Sequence, residues 1–201
     1  MQRFAALILL ALFMSPGGAR AQEPHLIIEG LLEDLATFWV PLNRDPDAPY
    51  QSRRKWTEDL IDAHFDLPHM TRSSLGNLWR GLTPEQQQTY SPLFREALIE
   101  TVIDWLDGFD DQTFEVIRVR DVGKNTEIQS RFTEANGRTI NVTWITRQTA
   151  DGHLFRDVRV AGLSLTADFR GKYQRIIDEH GFEAFLQILV SDTAELRLRQ
   201  S

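Results

Sequence analysis

The stretch TEIQSRFTEANGRTINVTWITRQTADGHLFRDVRV, residues 126–160, determines the fold class. It holds two turns, Asn136-Gly137 and Asp151-Gly152, each between segments rich in β-branched and aromatic residues. Such turns are strong signals of β-hairpins. Together with a turn around Gly123, they predict a four-stranded antiparallel meander with strands at 114–120, 126–134, 138–146 and 154–160.

The predicted strands alternate between apolar and polar residues. In the third strand, the apolar Ile140, Val142 and Trp144 are separated by polar side chains. This alternation indicates a sheet with one buried face and one face in water. We assign the strand arginines to the wet face, where they also discourage edge pairing, rather than to an anion site. They are Arg118, Arg120, Arg131, Arg138, Arg147, Arg156 and Arg159.

Helical spacing dominates the chain before and after the sheet. Residues 25–40 form one amphipathic segment, which Pro41 is expected to end, and the Pro- and Asp-rich residues 41–49 are expected to form a loop. After the sheet, two apolar stripes are separated by Gly181, and a polar tail begins at about Ser191.

The clearest local signal is Thr83-Pro84-Glu85-Gln86, a capping box with proline at the first helical position. The helix that it begins is expected to run to about Gly108, with Pro92 inside it. The whole pattern predicts an α+β domain of helices packed over a four-stranded antiparallel sheet.

Composition excludes several function classes. The 201 residues carry a net charge of −7 without a basic run, which argues against binding nucleic acid or an anionic membrane surface. The absence of cysteine excludes disulfides, thiolate metal sites and a cysteine nucleophile.

The first 21 residues are typical of a secretory signal peptide. Arg3 precedes the apolar run Phe4–Met14, and Ala19-Arg20-Ala21 offers a cleavage site. Eleven apolar residues are too few for a membrane span, which needs about 20. We therefore predict a signal peptide at 1–21 and one domain at 22–201. Cleavage removes two arginines and no acid, so the charge of −7 becomes −9.

No catalytic signature is present. The sequence lacks a nucleophile elbow, a phosphate loop, a dinucleotide-binding motif and a paired-histidine zinc motif. His64 and His69 lack the spacing of paired metal ligands, so we predict no metal site. Asp66 and Asp168 are better placed as helix-end residues, and Asp157 as a partner of a strand arginine. We expect no enzymatic activity and no cofactor.

A surplus of bulky apolar residues remains to be explained. All five tryptophans lie after residue 21, and periodicity alone leaves open whether they fill a solid core or line an apolar cavity.

The segment 66–98 resembles the MlaC-type, toluene-tolerance family of periplasmic phospholipid-binding proteins. Two groups of motifs carry the resemblance, which extends over about residues 25–190. The first comprises Phe65-Asp66, Leu75-Gly76, Trp79-Arg80, Leu82-Thr83-Pro84-Glu85-Gln86, Phe94 and Leu98. The second comprises Asp157-Val158, Gly162-Leu163-Ser164-Leu165, Phe169-Arg170, Ile176-Ile177, Gly181 and Leu186.

The resemblance implies a periplasmic carrier with a cone-shaped, NTF2-like fold, in which helices over a twisted sheet enclose an apolar cavity for acyl tails. Its cargo would be phospholipid. Its partners would be an inner-membrane ABC transporter complex and an outer-membrane lipoprotein complex. Residues 41–49 and Trp105 depart from the family pattern. Another amphiphile, such as a hopanoid-like lipid, is therefore an alternative cargo.

Residues on the apolar faces of the predicted elements are expected to line this cavity. They are Trp79, Phe94, Leu98, Val102 and Trp105 before the sheet, Ile140, Val142, Trp144, Val158 and Val160 on strands, and Leu165, Phe169, Tyr173 and Ile177 after it.

Two alternatives belong to other function classes. One is a non-catalytic envelope interaction module with a solid core. The other is an enzyme on a similar scaffold, which a buried His64 or Asp157 facing an open cavity would favour.

Overall fold

The computed structural model describes residues 24–45, 47–109, 112–150 and 152–200. The predicted signal peptide lies outside these residues. The described part is an α+β arrangement in which helices precede and follow one antiparallel sheet.

Along the chain, five α-helices come before the sheet and two come after it, within the described residues. They are α1 (Pro24–Asp34), α2 (Val40–Arg44), α3 (Tyr50–His64), α4 (Leu67–Leu75), α5 (Pro84–Leu106), α6 (Leu165–His180) and α7 (Phe182–Gln200). A π-helical turn, Leu35–Trp39, joins α1 to α2, and a 3-10 helix, Gly76–Gly81, follows α4. None of the described helices is long and apolar enough to cross a membrane.

The prediction that Pro41 ends the first helix is wrong, because α2 continues through it to Arg44. Proline clashes with the preceding turn of a regular α-helix. Here the preceding turn is widened, and the amide of Val40 bonds to the carbonyl of Leu35, five residues back. The wider turn accommodates the proline ring, so the non-helical connection is shorter than the predicted loop.

The sheet has the order β1-β2-β3-β4-β5. Its strands are β1 (Thr113–Val122), β2 (Asn125–Thr133), β3 (Thr139–Thr149), β4 (Gly152–Val160) and β5 (Leu163–Ser164). The sheet therefore has five strands, and the prediction of four is wrong. Ala161 and Gly162 both have positive φ, 51° and 85°, and the tight turn they make pairs the two residues of β5 with the end of β4.

The two faces of the sheet differ as the alternation predicts. Val142 and Trp144 are buried on the inner face, and Trp144 pairs with Val158 of β4. On the other face, Arg120 forms an ion pair with Glu127 at 2.5 Å, and Arg159 lies 3.7 Å from the same carboxylate. These arginines therefore belong to a cross-strand ion-pair network.

Helix ends follow the local sequence signals. Thr83 and Gln86 form both hydrogen bonds of the capping box at the start of α5, and Pro92 lies inside that helix. Gly181, with φ of 80°, separates α6 from α7. The polar tail is part of α7, which continues to Gln200.

Candidate functional site

Most of the predicted cavity residues lie in one apolar core between the helices and the inner face of the sheet. Those less than a tenth exposed are Phe94, Leu98, Val102, Val142, Trp144, Val158, Leu165, Phe169 and Tyr173. Trp79, Ile140, Val160 and Ile177 are half-buried at its margin. Trp105 is 43% exposed and is therefore not enclosed with the others.

The helix side of this core is a cluster of rings that we call the aromatic cluster. It consists of Trp79, Tyr90, Phe94, Phe169, Tyr173, Phe182 and Phe185. Tyr90 is its centre, with ring centroids 5.9 Å from Phe185 and 6.4 Å from Tyr173. The closest pair, Tyr173 and Phe185, is 4.9 Å apart. Rings at these distances and tilts attract one another beyond their apolar burial.

The two tyrosine hydroxyls of the aromatic cluster have different environments. The Tyr90 hydroxyl lies 2.6 Å from Ser74 Oγ, which also donates to the carbonyl of Thr71. The Tyr173 hydroxyl is buried and has no hydrogen-bond partner among the described residues. Burial is the main cause that raises the pKa of both phenols, so both stay protonated.

The sheet side of the core carries a second, smaller group of rings. Trp144 and Phe155 are 5.5 Å apart, and Phe155 makes an edge contact with Phe65 at 5.4 Å. Trp144 donates its indole N–H to Ser130 Oγ at 2.9 Å, which satisfies its one polar atom inside the core.

Two carboxylates hold the helices on the sheet. Asp66 accepts from the amide of His69 at the start of α4 and from Arg156 of β4. Asp157 accepts from Ser164 and from the amide and hydroxyl of Thr166 at the start of α6. Asp66 therefore caps a helix as predicted. Asp157 serves mainly as a helix-end acceptor, and its arginine, Arg159, lies on its own strand at 3.6 Å.

A recess of about 470 Å³ lies between α1, the end of α3 and the β3–β4 hairpin. Its lining is half polar and includes His64, His153, Asp34 and Asp62. Burial lowers the pKa of both histidines, so both favour the neutral form. None of the predicted cavity residues lines this recess. Within the described ranges, no cluster of three or more metal-ligating side chains occurs.

Comparison with known proteins identifies the family. A family model described as MlaC protein matches residues 42–191, well over half of the chain. The chain belongs to the MlaC family. The resemblance inferred from the motifs is thereby confirmed, and the matched range begins at residue 42 rather than at about residue 25.

A solved structure supports the fold of this MlaC-family chain. A phospholipid-binding protein from Ralstonia solanacearum, determined in complex with a phospholipid, is similar with a TM-score of 0.72 and 21% identity. The likeness covers 85% of this chain and 97% of that one. No curated protein sequence matches the chain.

The cavity residues predicted from the sequence do not include the whole aromatic cluster. Tyr90, Phe182 and Phe185 belong to the aromatic cluster, yet only their neighbours were assigned to the cavity. Their spacing contained the signal, because Tyr90 precedes Phe94 by one helical turn and Phe185 lies on the apolar stripe after Gly181. The sequence spacing does not show that the Tyr90 hydroxyl has a hydrogen-bond partner and that the Tyr173 hydroxyl has none among the described residues.

Proposed function

We propose that this MlaC-family chain is a periplasmic carrier that buries the acyl tails of a phospholipid and shuttles the lipid between an inner-membrane ABC transporter complex and an outer-membrane lipoprotein complex. The observation that carries the proposal is the phospholipid bound to a protein of the same fold. Family membership agrees with it.

The energetics of lipid transfer explain why such a carrier needs a large apolar interior. Each buried methylene contributes roughly 0.8 kcal/mol, and two long acyl tails hold on the order of 30 methylenes. Their exposure to water therefore costs about 20–25 kcal/mol. A carrier must enclose the tails and can leave the headgroup in water.

The contacts of the core suggest where the tails enter. Ring contacts of the aromatic cluster join α5, α6 and α7, whereas hydrogen bonds that Asp66 and Asp157 accept hold α4 and α6 at their first turns. A ring contact is weaker than a hydrogen bond to a carboxylate, so an acyl chain replaces it at lower cost. We infer that tails insert between the aromatic cluster and the inner face of the sheet while the capped helix ends stay in place.

Release requires a partner that favours the emptied conformation or offers the lipid a better site. No catalytic group is needed for this cycle. The net charge of −9 expected for residues 22–201 also keeps the carrier from adhering to anionic membrane surfaces between deliveries.

A vesicle-transfer assay tests the proposal. The exported protein should move labelled phospholipid from donor to acceptor vesicles. Val142→Glu places a charge in the core and should abolish transfer, whereas Asn141→Glu, its exposed neighbour on the same strand, should transfer normally. Equal transfer by two folded variants contradicts the tail-binding assignment. Absence of transfer by the wild type favours the solid-core interaction module, and preference for a hopanoid-like lipid changes the cargo.

One observation favours the enzymatic alternative. His64 lines the recess between α1, α3 and the β3–β4 hairpin, together with a second histidine and two carboxylates. Under the carrier proposal His64→Ala transfers lipid like the wild type. Chemical change of the bound lipid by the wild type and its loss in His64→Ala would favour an enzyme.

A further inference from the structure

The hydroxyl of Tyr173 is a polar group that the protein itself leaves unsatisfied. The side chain is 2% exposed, and among the described residues its oxygen has no hydrogen-bond partner. Buried polar groups in native proteins are nearly always paired, and an unpaired one is an indication of a ligand or water that completes it. The same ring is in contact with Tyr90, Phe169 and Phe185.

Tyr90 provides a comparison within the same cluster. Its hydroxyl is equally buried but is paired with Ser74, so its polar atom is already satisfied in the ligand-free protein. Phenylalanine at position 173 would keep the ring contacts and remove the unpaired donor. The packing of this ring therefore does not depend on the Tyr173 hydroxyl.

We propose that the Tyr173 hydroxyl is the polar anchor of the bound lipid and donates a hydrogen bond to the ester carbonyl of an acyl chain. This inference rests on the proposed function and adds the linkage chemistry that the carrier recognises. The ester carbonyl is the strong acceptor nearest the apolar tails of a diacyl lipid. It is neutral and enters an apolar cluster at lower cost than a charged headgroup.

The negative charges of Asp168 and Asp192 disfavour the lipid phosphate as the partner of Tyr173, although Asp192 is also paired with Lys172. Asp192 and Asp168 lie close enough for their negative charges to raise the pKa of the phenol further, after burial and Tyr90. A phosphate placed there would meet the same repulsion. The protonated phenol instead offers one donor, which matches a carbonyl oxygen.

The test compares two synthetic phosphatidylethanolamines of equal chain length, one with ester-linked and one with ether-linked chains. Both are offered in competition to lipid-free protein, and the bound fractions are measured by native mass spectrometry. We expect the wild type to prefer the ester lipid about five- to tenfold, the effect of one net hydrogen bond. Tyr173→Phe should bind both lipids equally, and the matched control Tyr90→Phe should keep the preference.

The lipid-free proteins supply a second readout. Tyr173→Phe should unfold at the same or a higher urea concentration than the wild type, whereas Tyr90→Phe should unfold earlier because Ser74 loses its partner. An ester preference that persists in Tyr173→Phe, its absence in the wild type, or a loss of stability in Tyr173→Phe equal to that in Tyr90→Phe overturns the anchor. Failure of the wild type to bind either lipid overturns the proposed function itself.

Discussion

The hydroxyl of Tyr50 donates a 2.5 Å hydrogen bond to Oε2 of Glu100, a carboxylate with no exposed surface. The other oxygen of Glu100 accepts from Arg54 and, at 2.9 Å, from Arg197. Tyr50 and Arg54 lie on α3, Glu100 on α5 and Arg197 on α7. One buried carboxylate therefore joins three helices and holds the end of α7 in place.

Replacing Glu100 should weaken the protein strongly. Glu100→Gln removes the buried one of the two carboxylates that Arg54 and Arg197 share, and leaves Glu96 as the other. Loss of one member of a buried ion pair costs about 3–5 kcal/mol. We expect about 3 kcal/mol in the free energy of unfolding by urea, because Arg197 is 39% exposed and regains water. The control Asp62→Asn breaks a surface pair with Arg95 and should cost less than about 1 kcal/mol. Equal losses contradict the importance of the buried carboxylate.

Two glycines should respond to alanine in opposite directions. Gly76 has φ of 57°, and a Cβ there would lie 2.8 Å from Cδ of Arg170, so Gly76→Ala should destabilise the protein by about 1–3 kcal/mol. Gly171 is exposed inside α6 with open space around it, and Gly171→Ala should stabilise by up to about 1 kcal/mol. Thermal unfolding of both variants checks the pair, and a shift of the same sign in both would refute this reading of Gly76.

Acid should lower stability through three histidines that are buried or half-buried. Burial lowers the pKa of His64, His69 and His153 below the ordinary value of 6.5, so the unfolded chain binds protons that the folded chain resists. The stability that depends on these neutral histidines is present above pH 6.5, and it is lost as the pH falls from 6.5 toward their lower folded-state pKa values. His64→Asn should therefore show a shallower decline of unfolding free energy between pH 7 and 5.5 than the wild type. Identical slopes in His64→Asn and the wild type would count against this cause.

The sheet could be predicted because its signals are local. Each of the four predicted strands begins and ends within three residues of the observed one, because a turn sequence such as Asn136-Gly137 specifies both the turn and the register beside it. The fifth strand could not be predicted in the same way. It has only two residues, and its pairing depends on the positive φ of Ala161, a residue type that rarely adopts this conformation.

The polar interior could not be predicted because its partners are distant in sequence. Glu100 reads as an ordinary solvent-facing helix residue, yet it meets Arg54 and Arg197, 46 and 97 positions away. The pairing of Tyr90 with Ser74 and the lack of a partner for Tyr173 likewise depend on how α4, α5 and α6 pack. Periodicity identifies which ring faces the core but not which hydroxyl is satisfied there.

Native mass spectrometry of the protein recovered after export, with extraction and identification of whatever dissociates, would show whether the chain carries a lipid. We expect one stoichiometric adduct whose mass matches a phospholipid and which is absent from the folded Val142→Glu variant. A lipid-free mass for the wild type, unchanged after incubation with phospholipid vesicles, would contradict the carrier account.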